Sequence, residues 1–387
     1  MPPKKVAAVV TEYRRWSHAD VILRNLLDGY PDGETRPDLE LVALYTDQVP
    51  KNDLSRDLAK KHGFRLAPTI ADALTLGGKT LAVDGVISIG EHGQYPTNDK
   101  GQHLYPRRRF FEEIVAVFDK TGAAVPVFND KHLAPTWADA KWMYDAARKR
   151  LVPFLAGSSV PVTWREPSLV LPKGCELGGA VQIAYGPFEA YGFHALEGLQ
   201  CMVERRKGGE TGVAAVTFHP GPKMWDRLDA HPWVAPVFEA ATAHVPDHAP
   251  GDIREVTAKA KESGTFEVEY RDGLRAFVVF PNGWVRDGFA FAAAVKGAAK
   301  PAACRFHLQG GEPFGHFAEL TRAIDALVRT GHAPYPVERT LLTTGVLDAA
   351  MTSRFNKGER VETPHLAIKY QPTAWGPATG PVPPLKK

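Results

Sequence analysis

The stretch VAAVVTEYRRWSHADVIL, from Val6 to Leu23, decides the fold. It opens on a short apolar run of strand length. From Ser17 to Leu27 the apolar residues recur at helical spacing. Strand, turn and helix in that order form the start of a βα unit. The turn, TEYRRWSH (Thr11–His18), has unusual chemistry for its place. A first βα turn that seats a phosphate is rich in glycine, so that backbone N–H groups approach the ligand and helix packs closely on strand. Here there is no glycine, and Arg14 and Arg15 stand side by side.

The alternation continues outward. LELVALYTD (Leu39–Asp47) reads as a second buried strand. NDLSRDLAKKHGF reads as an amphipathic helix, with Asn52 or Asp53 as N-cap and Gly63 just past its end. TIADAL is a short helix and VDGVISIG (Val83–Gly90) a further strand. After a polar insert, RRFFEEIVAVFDKTG is a helix ending at Gly122. AVPVFNDKHLA supplies a strand and its exit loop, and WADAKWMYDAARKR another helix. This order predicts a doubly wound parallel sheet over residues 1–150, with ligands at the carboxyl ends of the strands. From about Leu151 the pattern changes. TFEVEYRDGLRAFVVFPNGW alternates with strand period around turns at Asp272-Gly273 and Asn282-Gly283, and ACRFHLQ is another strand. GHFAELTRAIDALVRTG and TLLTTGVLDAAMTSRFNKG are helices closed by glycines. Residues 151–370 therefore read as an α+β domain on an open, mainly antiparallel sheet. The Pro/Gly-rich tail, 371–387, reads as an extended or disordered arm. There is no internal repeat.

With 387 residues the chain is long enough for two domains. A net charge of +3 gives no argument for nucleic acid or an anionic membrane. No apolar run reaches the roughly 20 residues that span a bilayer, and MPPKKVAAVV lacks the features of a signal peptide. Cys175, Cys201 and Cys304 are scattered and odd in number, so neither a disulfide framework nor a zinc ribbon is expected. A cytoplasmic location is the expectation.

Four segments resemble the Gfo/Idh/MocA family of sugar and polyol oxidoreductases, which join a Rossmann domain to an α/β domain with an open antiparallel sheet. LVALYTD with DLSRDLAKKHGFRLAPTIADAL is similar to the family's second strand, acidic residue, helix and third unit. VPVFNDKHLA is similar to the strand before its Glu-Lys-Pro motif, here Asp130-Lys131-His132. EAYGFHALEGLQCMV resembles its Asp-x-Gly-x-His-x-x-Asp helix start, with Gly192, His194 and Glu197 in register. HFAELTRAIDALVRTGHAP through FNKGERVE resembles its C-terminal helices. The phosphate turn departs from the family: counting back from His18, Val10, Glu12 and Arg15 stand where small residues belong.

The resemblance implies site residues. NAD or NADP would meet Thr11, Glu12, Arg14, Arg15, Glu91 and His92. Asp47 stands where an acid holds the adenosine ribose, or else is a cap. Lys131 matches the lysine that stabilises the reacting oxygen, or is a surface lysine. His194 matches the general acid/base, or is a structural histidine. Ala190 replaces the preceding carboxylate, and Glu197 shares a helical face with His194, where it would orient or polarise it. The long insert Gly90–Arg109 should bring Glu91, His92 and Tyr95 to the cleft. A divalent metal is a weaker alternative, on Glu91 and His92 with His132 or His194. Tyr95, His132, Trp164 and Arg165 are substrate-pocket candidates, as are His219 and Trp225, although core packing or surface ion pairs explain them too. The basic turn VERRKGG reads as solvated.

The leading expectation is thus a family-like oxidoreductase acting on a sugar, polyol or sugar derivative, with Lys131, His194 and Glu197 at its centre. A second is a non-redox enzyme on a carbohydrate (elimination, hydrolysis or isomerisation), with or without a metal. A third is a non-catalytic carbohydrate-binding relative. The resemblance also implies a homodimer or homotetramer built on the open face of the second sheet, with neither nucleic acid nor membrane as partner.

Overall fold

The computed structural model describes residues 2–33 and 35–385. The first layer alternates as expected: β1 (Lys4–Val10), α1 (His18–Asp28), β2 (Leu39–Thr46), α2 (Ser55–His62), β3 (Arg65–Leu66), α3 (Ile70–Thr75), β4 (Gly85–Ile89), α4 (Arg107–Thr121), β5 (Val127–Asp130), α5 (Trp137–Lys149) and β6 (Phe154–Gly157). These strands form a six-stranded sheet in the order β3-β2-β1-β4-β5-β6, and every pairing in it is parallel. Its central strands are buried over Val6–Val10 and Gly85–Ile89 because helices cover both faces. The order reverses between β1 and β4, which places a cleft beyond Val10 and Ile89.

The chain continues with β7 (Trp164–Glu166), β8 (Leu177–Ile183), α6 (Ala190–Val203), β9 (Val213–Pro220), α7 (Gly221–Asp229), α8 (Val234–Thr242), β10 (Asp247–His248) and α9 (Ile253–Lys259). Then come β11 (Gly264–Tyr270), β12 (Arg275–Phe280), β13 (Val285–Asp287), β14 (Phe289–Val295), β15 (Ala302–His307), α10 (Gly315–Thr330), α11 (Val337–Phe355) and β16 (Val361–Glu362). The second sheet has eight strands, β16-β9-β11-β12-β8-β14-β15-β7. It is antiparallel except where β12 meets β8. The first sheet thus takes in β6, past residue 150, and α10 packs back on it: Leu320, Ile324 and Leu327 share a core with Val6, Ala8 and Ile22.

The sequence signals for the ends of elements mostly hold. Gly63, Gly122 and Gly331 sit in the left-handed region at their helix ends. One cap does not: Leu54 occupies the N-cap of α2 without a side-chain bond, and Asp53 instead accepts from Ser55 and Arg56. Among its described residues the tail forms no regular element, but it is docked along the body, with Ala378 N–H donating to Val162 O (2.8 Å).

The face of the second sheet expected to be open is covered. Residues on β12 and β14 alternate with period 2. Ala276, Val278, Phe280, Phe289 and Phe291 face the core that holds α6 and α11. Phe277, Val279, Ala290 and Ala292 face a second core, made with Met224, Trp225 and Leu228 of α7 and Val234 and Val237 of α8. The expected oligomer surface is therefore an internal interface here. Sequence reading missed it because α7–α9 are short and broken by prolines and glycines.

Candidate functional site

The first turn is built as a closed structure. Tyr13 is completely buried in the core beneath it. Glu12, also buried, pairs with Arg14 (2.5 Å). Arg15 reaches Glu312 (3.3 Å), as does the indole N–H of Trp16 (3.0 Å). Ser17 caps α1: its hydroxyl accepts from Asp20 N–H (3.3 Å), while the Asp20 carboxylate accepts from Trp16 N–H (2.8 Å). This reciprocal cap satisfies donors that a glycine turn leaves for a phosphate. The turn is also tied sideways. Leu54 N–H donates to Tyr13 O (2.8 Å) and Gln48 N–H to Thr11 O (2.7 Å). Thr11 Oγ1 donates to Glu91 O (2.5 Å). Asp47 accepts from Tyr45 (2.8 Å), Tyr95 (2.7 Å) and Arg109 (2.5 Å).

Beyond the turn lies a cleft of about 420 Å³, walled by His18, Glu91, His92, Lys131, His194 and His316, with Tyr185, Tyr191 and Asp287 on the second domain's side. Three non-glycine residues on its wall hold positive φ: His92 (70°), Lys131 (62°) and Phe314 (54°). Such strain costs roughly 1–3 kcal/mol per residue and gathers at functional sites. Behind the wall, Glu91 bonds Lys131 (2.9 Å) and Arg107 (2.6 Å). Arg107 is fully buried and also meets His132 Nε2 (2.9 Å). It enters because residue 90 is glycine; a Cβ there would lie 2.6 Å from Arg107 Cγ.

Burial opposes the charge of Glu91, but Lys131 and Arg107 outweigh it and hold its carboxyl well below the usual range. Burial, reinforced by Lys131 and His18, drives His194 well below the ordinary imidazole range. It drives His92 and His316 down to about 3. These imidazoles are neutral at pH 7, and the burial that keeps them so also makes them weak bases. His194 Nδ1 and His92 Nε2 are buried without a protein partner. His18 Nδ1 lies 2.7 Å from the buried Asp130 Oδ2. With the carboxylate accepting, Nδ1 carries a proton, and the ring lies on the cleft wall.

The structure thus gathers Lys131, His194, Glu91 and His92, and adds His18–Asp130, which sequence reading used only as a register mark. It separates the others. Glu197 does not orient His194; its carboxylate accepts from Thr340 (3.1 Å), Thr343 (2.9 Å) and Ser158 N–H (3.4 Å). Burial pushes it up to about 7. His132 sits behind the wall near Glu189 (3.4 Å), and Tyr95 is turned to Asp47. Trp164 donates to Gly380 O (3.1 Å) in the tail, and Arg165 lines a separate pocket. His219 pairs with Glu267 (2.8 Å), and Trp225 donates to Thr257 (3.1 Å) in the outer core. Among the described residues no group of three or more His, Cys, Asp or Glu side chains is arranged to hold a metal. The weaker set Glu91, His92, His132 and His194 fails because Glu91 is committed to two cations.

Solved structures share this architecture over nearly the whole chain. GenD2 from gentamicin A biosynthesis, in complex with NAD, is 14% identical, with a TM-score of 0.57 over 94% of this chain and 97% of that one. A putative myo-inositol dehydrogenase from Sinorhizobium meliloti is 14% identical, with a TM-score of 0.55 over 93% and 99%. An aldose-aldose oxidoreductase from Caulobacter crescentus, complexed with glycerol, is 14% identical, with a TM-score of 0.51 over 93% and 99%. No family model matches the sequence, and no curated protein matches it. The fold is therefore that of the sugar and polyol dehydrogenases the sequence resembles. In such a fold a dinucleotide lies over the ends of β1, β2 and β4, with its pyrophosphate on the first helix. Here those ends are bonded to one another and the helix is capped from within, so the residues present do not offer that seat in its usual form.

Proposed function

We propose that this chain is an enzyme that moves protons on a small polyhydroxylated, carbohydrate-like substrate, without passing a hydride to a dinucleotide. One observation supports this reading: the loops that frame a dinucleotide are tied together by the chain's own groups, while His18, Lys131 and His194 stay on the cleft wall. His18, oriented by Asp130, takes a proton from a hydroxyl or an adjacent carbon, and the neutral His194 offers its unpartnered Nδ1 to a substrate hydroxyl. The Lys131 ammonium stabilises the oxygen on which negative charge develops. Elimination and isomerisation both fit this division of labour. The substrate class is supported by the neighbours' names, which include an inositol dehydrogenase and an aldose oxidoreductase.

A second reading keeps the nicotinamide, and the neighbour bound to NAD favours it. Arg15 would then serve the phosphates by side chain once released from Glu312. The experiment that separates the two is a fluorescence titration with NADH and NADPH, run beside NMR of a polyol and ketose panel in D2O. Deuterium incorporation or dehydration without cofactor binding is expected. Saturable NADH or NADPH binding with hydride transfer to or from a panel member would overturn the hydride-free reading. If Lys131→Ala and His194→Ala both leave turnover unchanged, the assignment of the cleft itself fails.

A further inference from the structure

We propose that the chain holds a small monovalent anion, of halide size, in an enclosed pocket beneath its C-terminal arm. The pocket is lined by Arg165, Arg205, Arg339, Glu204 and Tyr335 and closed by Trp375–Pro377. Its volume is about 20 Å³, room for roughly one water-sized occupant. That excludes sulfate, phosphate and any organic acid of sugar size.

The charge balance points to an anion. Arg165 is buried, yet among the described residues no carboxylate pairs with it. Its donors go to Leu169 O (2.9 Å), Pro161 O (3.2 Å) and Cys201 Sγ (3.5 Å), and its guanidinium lies over the Phe306 ring at 5.7 Å. Its Nε, a donor only, is buried without a partner, and so is the hydroxyl of Tyr335. Glu204 is the acid at the pocket, and it is already used: Arg339 binds it through both oxygens (2.8 and 2.5 Å), and Tyr370 donates to it (2.9 Å). Cys201 does not replace it, because its thiol donates to Gly198 O (3.2 Å). Burial also pushes that thiol up, away from the thiolate. Arg205 adds a further cation, with its Nε on Leu171 O (2.5 Å). A buried guanidinium with only neutral acceptors is costly. A water would satisfy Nε but leave the charge, whereas a halide answers both.

The lid on this pocket leads to the cleft. Past Pro377 the arm bonds Trp164 through Gly380 O (3.1 Å), and Pro383 O accepts from Gln309, which lies on the cleft wall. An anion under Trp375 would therefore secure a strap that ends at the active cleft.

Two measurements test the site. Wild-type crystals soaked in sodium bromide should show an anomalous peak between Arg165 and Tyr335. Melting in sodium chloride should exceed that in sodium gluconate of equal ionic strength by about 2 °C or more, and saturate. Arg165→Met, which keeps an apolar stem and removes the charge, should abolish that difference. A bromide-free pocket, equal melts in the two salts, or an undiminished chloride response in R165M would each overturn the proposal. The bromide result stands on the wild-type protein even if R165M does not fold.

Discussion

Replacing Glu91 by glutamine removes the carboxylate that bonds both Lys131 and Arg107. The three side chains are 8%, 6% and 0% exposed. Breaking a buried pair by deleting one partner costs about 3–5 kcal/mol, because the other charge is left uncompensated. Two features place this case at the lower end. Lys131 lies on the cleft wall, and Arg107 keeps His132 as an acceptor. We therefore expect E91Q to cost about 3 kcal/mol at pH 7. At a urea slope of about 3 kcal/mol/M, the midpoint falls by about 1 M. The pH dependence has a definite sign. Glu91 is depressed in the folded state, so its contribution is present above the ordinary carboxylate value and lost as pH falls through the folded one. The gap between wild type and E91Q should hold from pH 7 to pH 5 and close only in strong acid. Adding Lys131→Met to E91Q should recover about 1 kcal/mol or more, since one uncompensated cation is then gone. A midpoint change under about 0.3 M at unchanged slope would refute Glu91 as counter-ion of two buried cations.

Other outcomes follow from the same structure. Lys131→Met and His194→Asn should each lower turnover by about 10²–10⁴-fold with little change in KM, once stopped-flow or NMR assays have a substrate. Ser17→Ala should cost about 1 kcal/mol in urea unfolding by removing the cap of α1. Glu197→Gln should do the opposite at alkaline pH. Its carboxyl is raised to about 7, so the stability of the protonated form is present below the ordinary carboxylate value and lost as pH rises through about 7. The variant should therefore gain on wild type between pH 5 and pH 8, by on the order of 2–3 kcal/mol. Because α7 and α8 cover the outer face of the second sheet, sedimentation velocity with cross-linking should find no dimer joined through that face.

The fold was legible where period and punctuation agree. The parallel sheet announced itself through largely apolar strands of five to eight residues and through helices α1, α2 and α4, which end on glycine. The Asp272-Gly273 turn was equally plain, with Gly273 at a φ of 90° in the hairpin. What sequence reading lost was side-chain direction. Arg107 belongs to the run Arg107–Arg109 at the start of α4, and nothing in its spacing separates it from Arg108 and Arg109. One arginine is completely buried while the others sit among surface carboxylates. Glu197 shares a helix with His194, yet it lies under Gly157, where a Cβ would come within 2.5 Å of its Oε2. The contact depends on β6 and α11, which are distant in sequence. Trp164 and Arg165 stand at the start of the second domain, but as neighbours on β7 they face opposite ways, one to the tail and one to α6.

The first turn shows why fold and cofactor can part company. What holds α1 against β1 is the burial of Val6, Ala8, Ile22 and Leu23, and a pyrophosphate contributes nothing to that core. The glycines of a phosphate turn serve approach by a ligand and close packing of helix on strand, and here the apolar contacts of α1 and β1 form without them. A chain that gives up the ligand loses the reason for glycine but must still satisfy the amides at the start of the helix. Ser17 and Asp20 do this with side chains, Tyr13 fills the space beneath, and Glu12–Arg14 neutralise each other above. Together these residues fill the seat and cap the unit that frames it. His18 is the exception in the stretch: it keeps its place, points at Asp130 rather than at the turn, and belongs to the cleft. The turn and the cleft therefore answer to different constraints, and the residues that fill the one leave the other open.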